Sequence, residues 1–117
     1  MSATLPISLI LPFYDNRKNV DLENIVCLTS HRNYTEFRFI SGKSLLVSTT
    51  LKRYEELLLA SPYFYRISRS CIINIKHITN YEGRRLSAKV TLLGGYSFEF
   101  SRRRIEGFSP PTPRRGS

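Results

Sequence analysis

Between Phe64 and Ile78 the chain reads Phe-Tyr-Arg-Ile-Ser-Arg-Ser-Cys-Ile-Ile-Asn-Ile-Lys-His-Ile. Both ends are apolar and have the character of buried strands. The middle, Arg66 to Ser70, holds two arginines and two serines. A polar step between two buried segments must lie where the chain leaves the core. There it presents cations and hydrogen-bond donors from a rigid base. Two more such steps interrupt the apolar framework: His31-Arg32-Asn33 and Arg102-Arg103-Arg104.

The framework around these steps is mostly β. Ile7 to Leu11 has strand character, and Asp15 to Lys18 that of a turn. Asn24 to Leu28 is apolar at nearly consecutive positions, which predicts a strand covered on both faces. From Tyr34 to Ile40 the pattern alternates, with Phe37 and Phe39 opposite Glu36 and Arg38. Ser41-Gly42-Lys43 marks a hairpin turn into Leu45–Val47. Ala88, Val90 and Leu92 share one face of a later strand. Gly94-Gly95 suits a two-residue hairpin turn, because both glycines tolerate positive φ. Tyr96, Phe98 and Phe100 alternate after it.

One helix is expected, from about Thr49 to Ala60, with Ser48 or Thr49 as its cap. Leu51, Tyr54, Leu57 and Leu58 make an apolar stripe, and Pro62 stops the helix. Glu55 and Glu56 point away from the stripe and are expected in solvent. The helix lacks the exposed Arg, Asn or Gln row of a recognition helix. Asn74 is expected as a turn residue bonding the backbone. The division expected is an N-terminal strand and turn extension at 1–20, packed on the domain; a binding domain at 21–108; and a flexible tail at 109–117.

Charge narrows the partner. Residues 1–60 carry seven Lys or Arg against six Asp or Glu, while residues 61–117 carry eleven against three. A surplus confined to one half implies a cationic face for an anionic partner. Arginine can grip guanine or phosphate with its planar fork, asparagine can pair with adenine, and serine can bond base or phosphate. The candidate contacts are His31, Arg32, Asn33, Ser68, Arg69, Ser70, Arg102, Arg103 and Arg104. Arg66 lies within a strand-like stretch, where pairing with a carboxylate is the competing role. Phe37, Phe39, Phe98 and Phe100 are read as core rather than as stacking platforms.

Other chemistries find little support. Cys27-x3-His31 and Cys71-x5-His77 do not have zinc-site spacing, so no metal is expected. No phosphate loop, nucleophile elbow or carboxylate cluster appears, so no enzyme activity and no cofactor are expected. Two cysteines inside apolar patterns point to buried thiols in a reducing cytoplasm. The apolar start is short, holds Pro6 and Pro12, and has no basic residue before it, so neither a signal peptide nor a membrane span is expected.

The ordered motifs resemble the LytTR family of bacterial DNA-binding domains. Its signature runs roughly F-x-R-[VI]-H-[RK]-S-x-[IV]-[VI]-N, with S-R-R after the final strand, and Phe64 to Asn74 and Ser101-Arg102-Arg103 are similar to both. Asn33-Tyr34-Thr35 resembles the family's N-Y-T step. Ser41 to Val47 looks like its G-K hairpin, and Thr50-Leu51-Lys52 through Leu58 like its S-L-K-x-x-E-x-x-L helix. The match covers about Asp21 to Phe108. It implies a mostly β fold: an elongated antiparallel sheet or sandwich with one short helix. It also implies a transcriptional regulator whose three basic loops enter the major groove of duplex DNA and bend it. On this resemblance His31 and Arg32 fall on the first reading loop, Arg69 on the second, and Arg102 and Arg103 on the third.

Two positions depart from the family pattern. Ser68 stands where histidine is usual, and Cys71 where an aromatic is frequent; the first implies altered sequence preference. A phosphoacceptor receiver domain commonly precedes the family domain. Too few residues precede the β pattern for one in this chain, so control is expected from elsewhere. Repeated DNA sites and self-association on DNA are expected. The rival expectations are an RNA or single-strand binder, and a basic protein-interaction module.

Overall fold

Ile25, Val26, Cys27 and Leu28 are each at most 1% exposed, as an unbroken apolar run predicts for a strand covered on both faces. The covering layers are visible in the computed structural model, which describes residues 8–10, 19–58, 61–105, 107 and 108. In chain order the described strands are β1 (Ser8–Ile10), β2 (Asn19–Asp21), β3 (Ile25–His31), β4 (Tyr34–Phe39), β5 (Ser44–Val47), β6 (Phe64–Ser68), β7 (Cys71–Asn74), β8 (Ile78–Gly83), β9 (Ala88–Leu92) and β10 (Ser97–Glu99). Helix α1 (Leu51–Leu57) lies between β5 and β6, and α2 (Arg102–Ile105) follows β10. Two 3-10 turns, Leu22–Asn24 and Ile75–His77, precede β3 and follow β7.

All described strand pairings are antiparallel. One sheet has the order β5-β4-β3-β7-β6, a second the order β10-β9-β8, and β1 pairs with β2. The five-stranded sheet is the middle layer. On one face Ile25, Leu28, Phe37, Val47 and Ile72 pack with Leu51 and Tyr54 of α1 and with Leu58 just after it. On the other face Val26, Cys27, Ile67, Cys71 and Ile73 pack with Ala88, Val90 and Leu92 of the three-stranded sheet. A register shift between Ile25 and Cys27 produces this division. The extra residue of a bulge lets two neighbours share a face, so Val26 and Cys27 both enter the second core. Beyond the bulge the alternation continues, placing Thr29 and His31 on the face of Cys27.

The mostly β class with a helix packed on a sheet agrees with the sequence. Several local expectations need correction. Helix α1 begins after Thr50, which caps it without a side-chain hydrogen bond; neither Ser48 nor Thr49 is the cap. The Thr49 carbonyl instead accepts the Thr35 hydroxyl at 2.6 Å. The connection from β9 to β10 has four residues, Leu93 to Tyr96, rather than two, and the Leu92 amide donates to the Tyr96 carbonyl across it. Gly94 and Gly95 adopt φ of 94° and 87°, where any side chain would be strained. A second short helix, α2, occupies the third basic step. The expected turn at 15–18, the helix end at Ala60 and the tail at 109–117 lie outside the described residues.

Candidate nucleic-acid interface

The β3–β4 and β6–β7 turns lie side by side at one end of the five-stranded sheet, because β3 pairs with β7. The Ser30 amide donates to the Ser70 carbonyl at 2.9 Å and ties the two turns together. His31 pairs with Tyr34 across the first turn, leaving Arg32 and Asn33 at its tip, both exposed. Arg32 has φ 61°, a left-handed conformation that a non-glycine residue adopts at a cost. The hydrogen-bonded ladder on either side holds it there.

The second turn is shaped by its own side chains. Ser68 pairs with Cys71, so Arg69 and Ser70 form the tip. The Ser70 amide donates to the Ser68 hydroxyl at 3.2 Å. Ser68, the position of departure from the family pattern, therefore helps build the turn. Arg66 lies beneath it: its guanidinium donates to the Glu55 carboxylate at 2.8 Å, to the Ser68 carbonyl at 3.0 Å and to the Arg69 carbonyl at 2.6 Å. The Arg66 side chain is 15% exposed. It is a strut between α1 and the turn, and Glu55 is its partner rather than a free surface charge. Arg69 is exposed, and among the described residues its side chain has no ion-pair partner.

The third basic step begins next to the second. The Ser101 amide donates to the Ile67 carbonyl at 2.8 Å, directly before Ser68. The chain then winds into α2 rather than an open loop. Arg102 and Arg103 are exposed, whereas Arg104 is half-buried. The Tyr65 hydroxyl holds the Arg104 carbonyl at 2.8 Å. Burial pushes the Tyr65 phenol above its usual range, with the Arg104 charge opposing, so it remains a donor. Tyr65, Phe100 and Phe108 pack together with ring centroids 4.8–6.4 Å apart, fixing the chain on both sides of α2.

His31, Ser68 and Ser70 line one cleft of about 440 Å³, whose opposite wall is Tyr96, Ser97, Phe98 and Glu99. Asn33 lines a different groove of about 380 Å³ with Ser48, Thr49, Thr50 and Arg53. The sequence reading missed Arg53, an exposed arginine from α1 brought beside the first turn. Its only sequence signal is position: it opens the helix entered from β5, the strand beside β4.

Phe37 is buried and Phe39 half-buried in the first core; Phe98 and Phe100 contribute to the second. These rings are core, as expected. Burial pushes the Cys27 thiol up to about 12, with Arg38 opposing and Glu36 adding to the rise. Burial raises Cys71 further, helped by Cys27. Neither is a ready thiolate for metal or for oxidation. Among the described residues no helix is long and apolar enough to cross a membrane.

The LytTr DNA-binding domain family model matches residues 15–110. A solved structure from Bacillus cereus, described as the LytTr DNA-binding domain of a methyl-accepting/DNA response regulator, shares the fold. Its TM-score is 0.70 at 18% identity, covering 87% of this chain and 93% of that one. No curated protein matches the chain. A match spanning most of the sequence, on a fold that sets three basic segments together, places this chain in the LytTr family of DNA-binding domains of transcription regulators.

Proposed function

We propose that the chain binds duplex DNA sequence-specifically, with the β3–β4 turn, the β6–β7 turn and α2 facing the major groove and its phosphates. The observation carrying this reading is the hydrogen-bonded pairing of two arginine-tipped turns, with exposed Arg102 and Arg103 beginning beside them. Arg103 and His31 are assigned base contacts. Arg32 and Arg69 take mixed base and phosphate roles, as do Asn33, Ser70 and Arg102. Ser68 and Arg104 support the surface from below. Arg53 joins the set as a phosphate contact beside Asn33. Residues 21–108 form the binding unit, and copies of it occupy repeated sites and bend the duplex between them. The setting is a reducing cytoplasm, where the protein regulates transcription.

Two exposed turns and the start of α2 suit the wide major groove of B-DNA better than the deep, narrow one of RNA. The alternating rings Phe37, Phe39, Phe98 and Phe100 are packed in the two cores rather than offered to single-stranded bases, while Tyr34 is exposed beside the first turn. Selection from a random duplex pool tests the reading, and recovery of a repeated motif supports it. With that site in hand, Arg103→Ala should weaken binding by about 1–3 kcal/mol, the scale of one good base contact. Each neutralised phosphate should add about −0.9 to the slope of log K against log salt, so Arg53→Ala should make that slope shallower by about one. Undiminished binding by a folded Arg103→Ala variant overturns the base assignment. Enrichment of no duplex motif overturns sequence-specific recognition.

A further inference from the structure

His31 is held by an acidic residue that DNA should repel. Its Nε2 lies 2.9 Å from Glu36 Oε1 and 3.3 Å from Thr29 Oγ1. The register explains the meeting: Thr29 opposes Glu36 and His31 opposes Tyr34, so His31 and Glu36 are diagonal neighbours. The other Glu36 oxygen, Oε2, is 3.4 Å from Arg38. The Arg38 guanidinium lies 4.8 Å from the centre of the ring of Tyr96, the residue that leads into β10 of the facing sheet. Glu36 is 17% exposed, while the His31 side chain is 55% exposed. Thus the carboxylate is mostly covered and neutralised by a cation, and the imidazole projects past it.

A carboxylate only accepts hydrogen bonds, so the ring nitrogen facing it must carry the hydrogen. That leaves Nδ1 as the ring nitrogen without a hydrogen-bond partner among the described residues. From this geometry, and resting on the DNA reading above, we infer that Glu36 is a positioning residue for sequence recognition. It holds Nε2–H of His31 so that Nδ1 meets the DNA. A neutral His31 then offers an acceptor, which suits the amino group of adenine or cytosine. Arg38, stacked on Tyr96, keeps Glu36 in place and masks its charge from the phosphates. The bulge at Val26 belongs to the same device, since it sets Thr29 and His31 on the Glu36 face.

The test has two arms. Long-range proton–nitrogen spectra of the neutral imidazoles report the tautomer in the free protein. His31 should be the Nε2–H form in the parent and in Glu36→Gln, whose amide oxygen still accepts, and should become mixed in Glu36→Ala. The chain's other histidine, His77, is the internal reference, because its Nε2 lies 2.6 Å from the Glu23 carbonyl. In the second arm, affinity for the selected site is divided by affinity for random duplex. This ratio should fall about five- to tenfold in Glu36→Ala, roughly 1 kcal/mol, and persist in Glu36→Gln. In a His31→Ala background the Glu36 substitution should leave it unchanged.

A parent His31 in the Nδ1–H form overturns the inference without any variant having to fold. An equal fall in the His31→Ala background also overturns it, since Glu36 would then act through the fold. Absence of duplex binding by the parent removes the DNA reading and with it this role, while the tautomer still reports whether Glu36 holds the ring.

Discussion

Strands β3 and β7 end differently at their two ends. At one end the 3-10 turns Leu22–Asn24 and Ile75–His77 consume nearly every polar group they bring. Asn74 Nδ2 donates to the Ile25 carbonyl at 2.9 Å and reaches the Leu22 carbonyl at 3.4 Å, while its Oδ1 accepts the Lys76 amide at 2.9 Å. Asp21 caps the first 3-10 turn, Lys76 pairs with Glu23, and His77 bonds the Glu23 carbonyl. At the other end Arg32 and Arg69 project with no ion-pair partner among the described residues. Equal polarity in sequence thus hides opposite roles. Polar groups that satisfy one another hold the sheet, and those left unsatisfied at the surface are free to bind an anion.

Asn74→Ala should show the contrast most strongly. It strips partners from buried backbone groups and should cost about 2–4 kcal/mol in urea unfolding. The DNA affinity of the remaining folded protein should stay as it was. A large loss of affinity without a loss of stability would break the comparison. Arg66→Ala comes next, because it removes a half-buried ion pair and two carbonyl contacts; about 1–3 kcal/mol should be lost. This variant should also weaken DNA binding, since Arg66 holds the turn that carries Arg69. Arg66→Lys should not rescue it, as one ammonium cannot reproduce the planar fork.

Arg69→Ala, three residues away, should behave in the opposite manner. Its unfolding midpoint should move by less than about 0.5 kcal/mol in stability, while duplex affinity falls by about 1 kcal/mol in a titration at fixed salt. A fall in stability comparable to that of Arg66→Ala would erase the distinction between strut and contact. The smallest effect belongs to Lys76→Ala. Its exposed pair with Glu23 should contribute less than about 1 kcal/mol, measured by thermal unfolding at low and high salt.

How far these roles can be read without a structure depends on the range of the interaction. The burial of Ile25 to Leu28, the apolar stripe of α1 and the alternation in β4 and β9 are periodic signals, and the structure follows them. Asn74 is legible as well, because a side chain that bonds its own backbone two residues on needs only local geometry. The pairing of Arg66 with Glu55 was legible only as a possibility, since either residue could equally face solvent. The bond from the Ser70 amide to the Ser68 hydroxyl is local in the same way as that of Asn74, but burial of Arg104 and the arrival of Arg53 beside Asn33 left no local signal. Each is set by a neighbour distant in sequence.

The sequence by itself determined a mostly β chain with basic steps at strand ends, because hydrophobic periodicity and turn chemistry act over a few residues. It also determined that the positive charge gathers in the second half. Only the tertiary structure decided which face each β3 residue serves, since a single bulge at Val26 reverses the alternation without changing the hydrophobic pattern. It alone decided that Glu36 meets His31 and that Arg66 is committed while Arg69 is free. Those outcomes depend on strand register and on what packs above each side chain, and neither is encoded in any short stretch of residues.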